Sequence, residues 1–202
     1  MNSPALILAS ASPRRKQLLD QLGVVYSICA QNIDESQKTG ESPKDLVKRL
    51  ALEKAEAGLK QESRNDVLVL GADTIVLCDQ VVFSKPLDKA DAMEMLLMLS
   101  GKAHRVLSAV ALVNSSRGES AYSDTIVQFR DISQIEAEHY WETGEPEHKA
   151  GAYAIQGFGA AFVKSITGSY SGVMGLPLFE TAVLLNEFGV CYWRHNQESL
   201  NE

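Results

Sequence analysis

The chain has 202 residues, 45% hydrophobic and 22% charged, ordinary globular usage that excludes a disordered, collagen-like or low-complexity protein and predicts one domain over 1–202. Lys and Arg total 19 against 26 Asp and Glu, a net charge of −7, which argues against a nucleic-acid partner gripped through a broad basic face. The 3 cysteines, Cys29, Cys78 and Cys191, form no Cys-x-x-Cys pair, and neither an export signal nor an apolar run of about 18 residues occurs, so a reduced, cytoplasmic chain with no membrane partner is expected.

Ala5 to Ala9 is a short apolar run suited to a buried strand of an α/β sheet. Ser12 as N-cap and Pro13 at the first helical position open a helix whose Leu18, Leu19 and Leu22 recur at helical spacing up to Gly23. Val24 to Ala30 alternates as a second strand, and 31–41 is polar enough for a loop. Ser42-Pro43 repeats the start signal for a helix that carries Leu46, Val47, Leu50, Ala51 and Ala55 on one stripe and ends near Gly58. Val67 to Leu70 predicts a central strand ending at Gly71-Ala72-Asp73-Thr74, followed by a hairpin over Ile75 to Phe83. A helix over Asp88 to Leu99, long strands over His104 to Val113 and Ala121 to Phe129, and a helix over Ser133 to Glu142 come next. A glycine-rich stretch from Gly151 to Gly159 precedes a last helix after Pro177, and a polar tail over about 194–202 is expected to fray.

Common motifs fail in informative ways. There is no G-x-x-x-x-G-K-[ST] loop, and the fingerprint begun by Gly157-Phe158-Gly159 meets Phe162 where its third glycine belongs. Gly168-Ser169-Tyr170-Ser171-Gly172 has a tyrosine where a nucleophile elbow needs serine. The 4 histidines and 3 cysteines show no zinc spacing.

What remains is Ser10-Ala11-Ser12-Pro13-Arg14-Arg15-Lys16, between the first strand and the first helix. Counting back one turn from Leu18 and Leu19 puts Arg14 and Arg15 on the inward side. Cations in a first turn oppose a helix dipole that favours anions by about 0.3 to 1 kcal/mol. A bound phosphate would reverse that sign, since it could meet free N–H groups, the Ser10 and Ser12 hydroxyls and the guanidinium forks; the bland alternative is a solvated basic turn. Lys54 continues the Leu46, Leu50 row at i+4, so its ammonium either snorkels to water or points into a cleft holding an anionic partner. Lys85, set in an extended stretch by Pro86, reads alone as a surface lysine. Asp73, just past a strand's carboxyl end, suits a ligand site, as a proton acceptor or metal oxygen, or merely caps a turn. Glu35 is a second metal oxygen or solvated charge. Together these groups describe a cleft that neutralises a polyphosphate and holds a magnesium-type ion, and hence nucleotide hydrolysis.

Ordered segments carry a resemblance to a known family: Ser10 to Arg15, Ile33-Asp34-Glu35, Arg49-Leu50-Ala51 with Lys54-Ala55, Gly71 to Thr74, Lys85-Pro86, Ser100-Gly101, Lys149 to Tyr153 with Ile155-Gln156-Gly157, and Gly175-Leu176-Pro177. In these the chain resembles the Maf, or septum-formation, nucleoside triphosphate pyrophosphatases over nearly its whole length. The resemblance implies an α/β fold, a mixed central sheet with flanking helices in two lobes around a deep cleft, similar to the inosine triphosphate pyrophosphatases. It implies hydrolysis between the α and β phosphates to a nucleoside monophosphate and pyrophosphate, with a divalent cation, Mg or Mn, as cofactor. Arg14, Thr74 and Gln156 match the specificity positions of the branch acting on dTTP and UTP. Carried over, Asp73 is the proton acceptor, Glu35 and Asp73 contact metal, and Arg14, Arg15, Lys54 and Lys85, with Ser10 and Ser12, bind phosphate. The resemblance also implies a homodimer, a role in clearing modified nucleotides and one in arresting cell division. Its rival is a nucleotide-binding septum regulator that acts through protein partners.

Overall fold

The computed structural model describes residues 4–64 and 66–193. Along the chain it places β1 (Ala5–Leu8), α1 (Pro13–Asp20), β2 (Tyr26–Ile28), α2 (Pro43–Lys60), β3 (Val67–Cys78), β4 (Val81–Phe83), α3 (Lys89–Leu99), β5 (Ala103–Val113), β6 (Gly118–Phe129), α4 (Gln134–Glu142), β7 (Val163–Thr167), α5 (Tyr170–Met174) and α6 (Leu178–Glu187). The strands form one 7-stranded mixed sheet in the order β2-β1-β3-β5-β6-β7, with β4 paired to β3. β1 runs parallel to both β2 and β3, whereas β3, β5, β6 and β7 are mutually antiparallel neighbours. The expected mixed central sheet with flanking helices is therefore what forms.

Alternation along β3 divides the core between the two faces. Val67, Val69 and Ile75 meet Leu46, Val47, Leu50 and Ala51 of α2 on one side. Leu68, Leu70, Ala72 and Val76 join Leu18 and Leu19 of α1, Leu96 and Leu99 of α3, Tyr140 of α4 and Leu184 and Leu185 of α6 on the other. Gly71 lets α2 approach: a Cβ there would lie 2.1 Å from the Ala51 carbonyl oxygen and 2.7 Å from the Ala55 nitrogen, both backbone atoms that cannot swing aside. Gly71→Ala is accordingly expected to cost about 1–3 kcal/mol, as overpacking does, in a urea titration; an unchanged midpoint would show that α2 has slack.

The sequence expectation needs correcting in four places. β3 does not end at Gly71 but continues through Asp73 and Thr74 to Cys78, because β5 pairs with it from Val69 to Leu77 and supplies hydrogen bonds that carry the strand across the glycine. The second strand shrinks to Tyr26–Ile28, since it is an edge paired only with the short β1. Ser12 is the N-cap of α1 without capping through its hydroxyl, whereas Ser42 and Ser133 do cap by accepting from Asp45 N and Glu136 N. β7 and α5 arise where no element was expected. The hairpin after β3 does form, turning at Asp79 and Gln80 with φ of 47° and 68°. The expectation for the tail over 194–202 lies outside the described residues.

The sheet also explains where a cleft opens. β1 pairs with β3 only over Val67–Leu70, and β4 covers that strand only over Val76–Cys78. Between them the edge of β3 from Gly71 to Ile75 faces no strand, so Asp73 and Thr74, on opposite faces, can both border the same space.

Candidate active site

A cleft of about 1230 Å³ occupies that gap, and its lining includes every residue singled out from the sequence: Ser10, Ser12, Arg14, Arg15, Glu35, Lys54, Asp73, Thr74, Lys85 and Gln156. They arrive from separate elements. β1 delivers the 9–12 turn and the start of α1, α2 delivers Lys54, β3 delivers Asp73 and Thr74, and Lys85 and Gln156 come from loops.

Lys54 lies at the centre of the acidic group. Its stem follows the apolar stripe of α2, its side chain is 8% exposed, and its Nζ stands 2.6 Å from Asp73 Oδ1 and 2.6 Å from Glu35 Oε1. The cleft alternative for Lys54 is the one the fold realises. Asp73 is buried yet borders the cleft, and among the described residues its Oδ2 makes no hydrogen bond. Lys85 adds a longer contact, Nζ to Glu35 Oε2 at 3.6 Å, from an exposed side chain. Burial raises the Glu35 carboxyl, but hydrogen bonds and charge from Lys54 and Lys85 outweigh it and leave the group below its ordinary value.

Glu35 belongs to a loop without regular structure, and Arg49 explains how that loop is held. From α2 its guanidinium reaches Glu41 at 2.6 Å, Glu53 at 2.9 Å and the Ser36 carbonyl at 2.9 Å, tying the loop to the helix one residue past Glu35. The Arg49 hydrogen bond drives Glu41 down to about 2, so the tie stays ionic across the working pH range.

At the other wall Arg15 donates through Nε to the Gly175 carbonyl at 2.8 Å and through Nη1 to Ser10 Oγ at 3.3 Å. Ser10 Oγ also accepts from Ser12 N at 3.2 Å, so the turn is organised around the Ser10 hydroxyl. Burial lowers the Arg15 guanidinium, and the charges of Asp73 and Glu35 oppose this. Burial and Arg15 lower Arg14, while Tyr140 and Glu145 pull the other way. Arg14 makes no hydrogen bond or ion pair among the described residues, an expensive state for a half-buried cation unless an anion arrives. Thr74 Oγ1 shares a hydrogen bond of 2.8 Å with Ser108 Oγ, and Gln156 stands exposed at the rim with its amide unengaged among the described residues.

The sequence reading missed Glu145, Lys149 and Ser108. Lys149 is a half-buried cation lowered by burial and then by Arg14. Ser108 is buried and donates to the Gly172 carbonyl, bracing α5 against β5. Glu145 has no distinguishing local pattern; Lys149 opens one of the segments that carry the resemblance and Ser108 interrupts an apolar strand, but neither pattern assigns a role, and only the register Thr74↔Ser108 marks the last.

Among the described residues no 3 His, Cys, Asp or Glu side chains gather as an ion cage. Glu35 and Asp73 nevertheless converge on one point occupied by an ammonium. Paired carboxylates are hard oxygen donors, and an ion of the magnesium type takes one or two of them and completes its shell with water and substrate phosphate. The residues fit such an ion only in company with a phosphate ligand.

The family model described as Maf-like protein matches residues 5–188. A dTTP/UTP pyrophosphatase of Alkalilimnicola ehrlichii is 50% identical over 196 residues, covering 95% of this chain and 96% of that one. Relatives of the same description in Saccharophagus degradans and Vibrio parahaemolyticus are 47% and 48% identical, covering 96% and 92% of this chain and 93% and 98% of theirs. Among solved structures the Staphylococcus aureus Ham1 protein aligns with a TM-score of 0.41 at 14% identity, over 64% of this chain and 72% of that one, too remote to carry an argument. Similarity at half of all positions over nearly full length leaves no room for a different lineage, and the chain belongs to the Maf-like protein family.

Proposed function

We infer that the protein is a nucleoside triphosphate pyrophosphatase that hydrolyses dTTP and UTP at the α-β phosphate bond. The observation that carries the reading is the pairing of Asp73 and Glu35 on the Lys54 ammonium at 2.6 Å each, inside a cleft lined with further cations. A simple anion-binding module has no use for carboxylates beside a polyphosphate, whereas a hydrolase needs a proton acceptor. Relatives described as dTTP/UTP pyrophosphatases support the same activity.

In this proposal Arg14, Arg15, Lys54 and Lys85 bind the phosphates, with Ser10 and Ser12 contributing hydroxyl and backbone donors at the start of α1. Water attacks the α-phosphorus while Asp73 accepts its proton at Oδ2. The bond from that phosphorus to the oxygen bridging to the β-phosphate breaks, and pyrophosphate leaves with its charge balanced by the guanidinium and ammonium groups. Glu35 and Asp73 would hold a divalent cation, Mg or Mn, which supplies charge neutralisation of the phosphates when bound. Lys54 keeps both carboxylates oriented, and Arg49 keeps the Glu35 loop in place. An overall charge of −7 makes such a local cationic funnel necessary for a polyanionic substrate.

Arg14, Thr74 and Gln156 are the proposed specificity residues. The Gln156 amide both donates and accepts, which suits the edge of uracil and thymine. Incubation with Mg or Mn and a panel of nucleoside triphosphates is expected to give monophosphate plus pyrophosphate from dTTP and UTP, with little from ATP or GTP, by chromatographic separation of products. Orthophosphate as the product would overturn the α-β cleavage, and no turnover of any nucleotide would favour a binding and regulatory role in septum formation. Gln156→Ala is expected to reduce the UTP to ATP preference in kcat/KM by about tenfold, the value of one well-placed hydrogen-bonding pair.

A further inference from the structure

Gln156 sits on a short irregular loop between Ala154 and a 3-10 turn over Phe158–Phe162, an insecure platform for a residue that reads a base. The loop is stapled by a group outside it. Glu145, just after α4, accepts from Phe158 N at 2.9 Å through Oε2 and from Gly159 N at 2.9 Å through Oε1. Its Oε1 also accepts from the Tyr140 hydroxyl at 2.6 Å, and that hydroxyl accepts from Ala154 N at 3.0 Å. The backbone is thus gripped on both sides of Gln156, by Tyr140 before it and by Glu145 after it. Gly157 fits this purpose: a Cβ there would lie 1.9 Å from Glu145 Oε2, so only glycine leaves room for the carboxylate.

Both anchors are themselves fixed. Tyr140 is buried, with its ring edge-on to Phe162 at 5.0 Å, on a helix closed by the Ser133 and Glu136 capping box. Burial raises the Glu145 carboxyl, yet the hydrogen bonds from Tyr140, Gly159 and Phe158 prevail and keep it below its ordinary value, so the staple is ionised at neutral pH. Charge-assisted bonds of this kind are about twice as strong as neutral ones.

We propose that Glu145, braced by Tyr140, is the positioning residue for base selection: it fixes the 154–159 backbone so that the Gln156 amide meets the pyrimidine edge at a set distance. The proposal rests on the reading of Gln156 given above. Glu145 touches no substrate atom in this scheme and acts through Gln156. Because its charge also bears on Arg14, itself a proposed specificity residue, the double variant with Gln156→Ala separates the two routes, since an effect through Arg14 would lower the ratio beyond Gln156→Ala alone.

The test compares UTP with ATP in kcat/KM for Glu145→Gln, Tyr140→Phe, Gln156→Ala and the double variant Glu145→Gln with Gln156→Ala, alongside melting temperatures. Tyr140→Phe keeps the ring against Phe162 and serves if Glu145→Gln does not fold. The expected result is a tenfold or greater fall in the UTP to ATP ratio for Glu145→Gln and at least threefold for Tyr140→Phe. The change should lie mainly in KM for UTP, and the double variant should fall no further than Gln156→Ala alone. If Gln156→Ala lowers the ratio while both staple variants keep it within twofold, or lose UTP and ATP activity equally with a lowered melting temperature, the positioning role is overturned and the reading of Gln156 stands. An unchanged ratio in Gln156→Ala overturns that reading, and the positioning role with it.

Discussion

Asp73→Asn is expected to lower kcat on UTP by about 10²–10⁴-fold, the range a positioned general base supplies. The asparagine keeps the shape of the side chain and can still meet Lys54 Nζ, now 2.6 Å from Oδ1, through its amide oxygen. It has no basic oxygen to take a proton from water. Nucleotide affinity should move differently, because removing a negative charge from a cleft that binds a polyanion does not weaken the ground-state complex. Calorimetric Kd for UTP, taken without added metal so that loss of a metal contact does not enter, should stay within about threefold, the signature of an interaction realised only in the transition state. Retention of most of the rate would remove Asp73 as the base. A loss of binding equal to the loss of rate would make it a structural partner of Lys54 instead.

Asp73 also illustrates what the sequence could and could not convey. Its importance was legible from an apolar strand running into Gly71-Ala72-Asp73, but the reason was not: Asp73 is the seventh residue of a 12-residue strand, not a group beyond a strand's end. Strand continuity there is conferred by β5, whose pairing is long-range, and the site exists because β1 and β4 leave the other edge of β3 open between Leu70 and Val76. A local window sees neither neighbour. Lys54 was legible for the opposite reason, since an ammonium at i+4 in a row of Leu46 and Leu50 is a local anomaly that demands a partner. Helices with serine caps, such as α2 and α4, were read nearly to the residue, because capping is a short-range signal. β7 and α5 escaped because the polar Lys164-Ser165 and Ser169-Tyr170-Ser171 have little pattern of their own; pairing with β6 and the Ser108 contact to Gly172 hold them. Glu145 escaped for the same reason: the backbone donors to its carboxylate lie 13 and 14 residues downstream.

Lys54→Met is the substitution with the largest expected effect on stability. Methionine matches the length of the lysine stem and preserves packing along α2, so the change isolates the ammonium. Asp73, 7% exposed, then remains as a buried charge with its partner gone, whereas Glu35 is exposed enough to be hydrated. Breaking a buried pair from one side costs about 3–5 kcal/mol, which urea denaturation should register as a clear drop in midpoint at unchanged slope. Activity should fall by at least about 10²-fold as well, through loss of a cation that stabilises developing charge on phosphate. Adding Asp73→Asn separates the two effects. With no carboxylate left to strand, the double variant should recover at least about half of the lost stability, a coupling well above the few tenths seen between independent sites. It should recover none of the activity, since it lacks both the base and the ammonium. A single Lys54→Met variant as stable as the parent would mean that cleft water solvates Asp73 well enough to replace its partner, and the Lys54 ammonium would then have no part in holding the carboxylate in place. Recovery of stability without activity, the expected outcome, would show that the fold tolerates the loss of both charges better than a lone buried carboxylate, so that the pair is kept at this position for its chemistry.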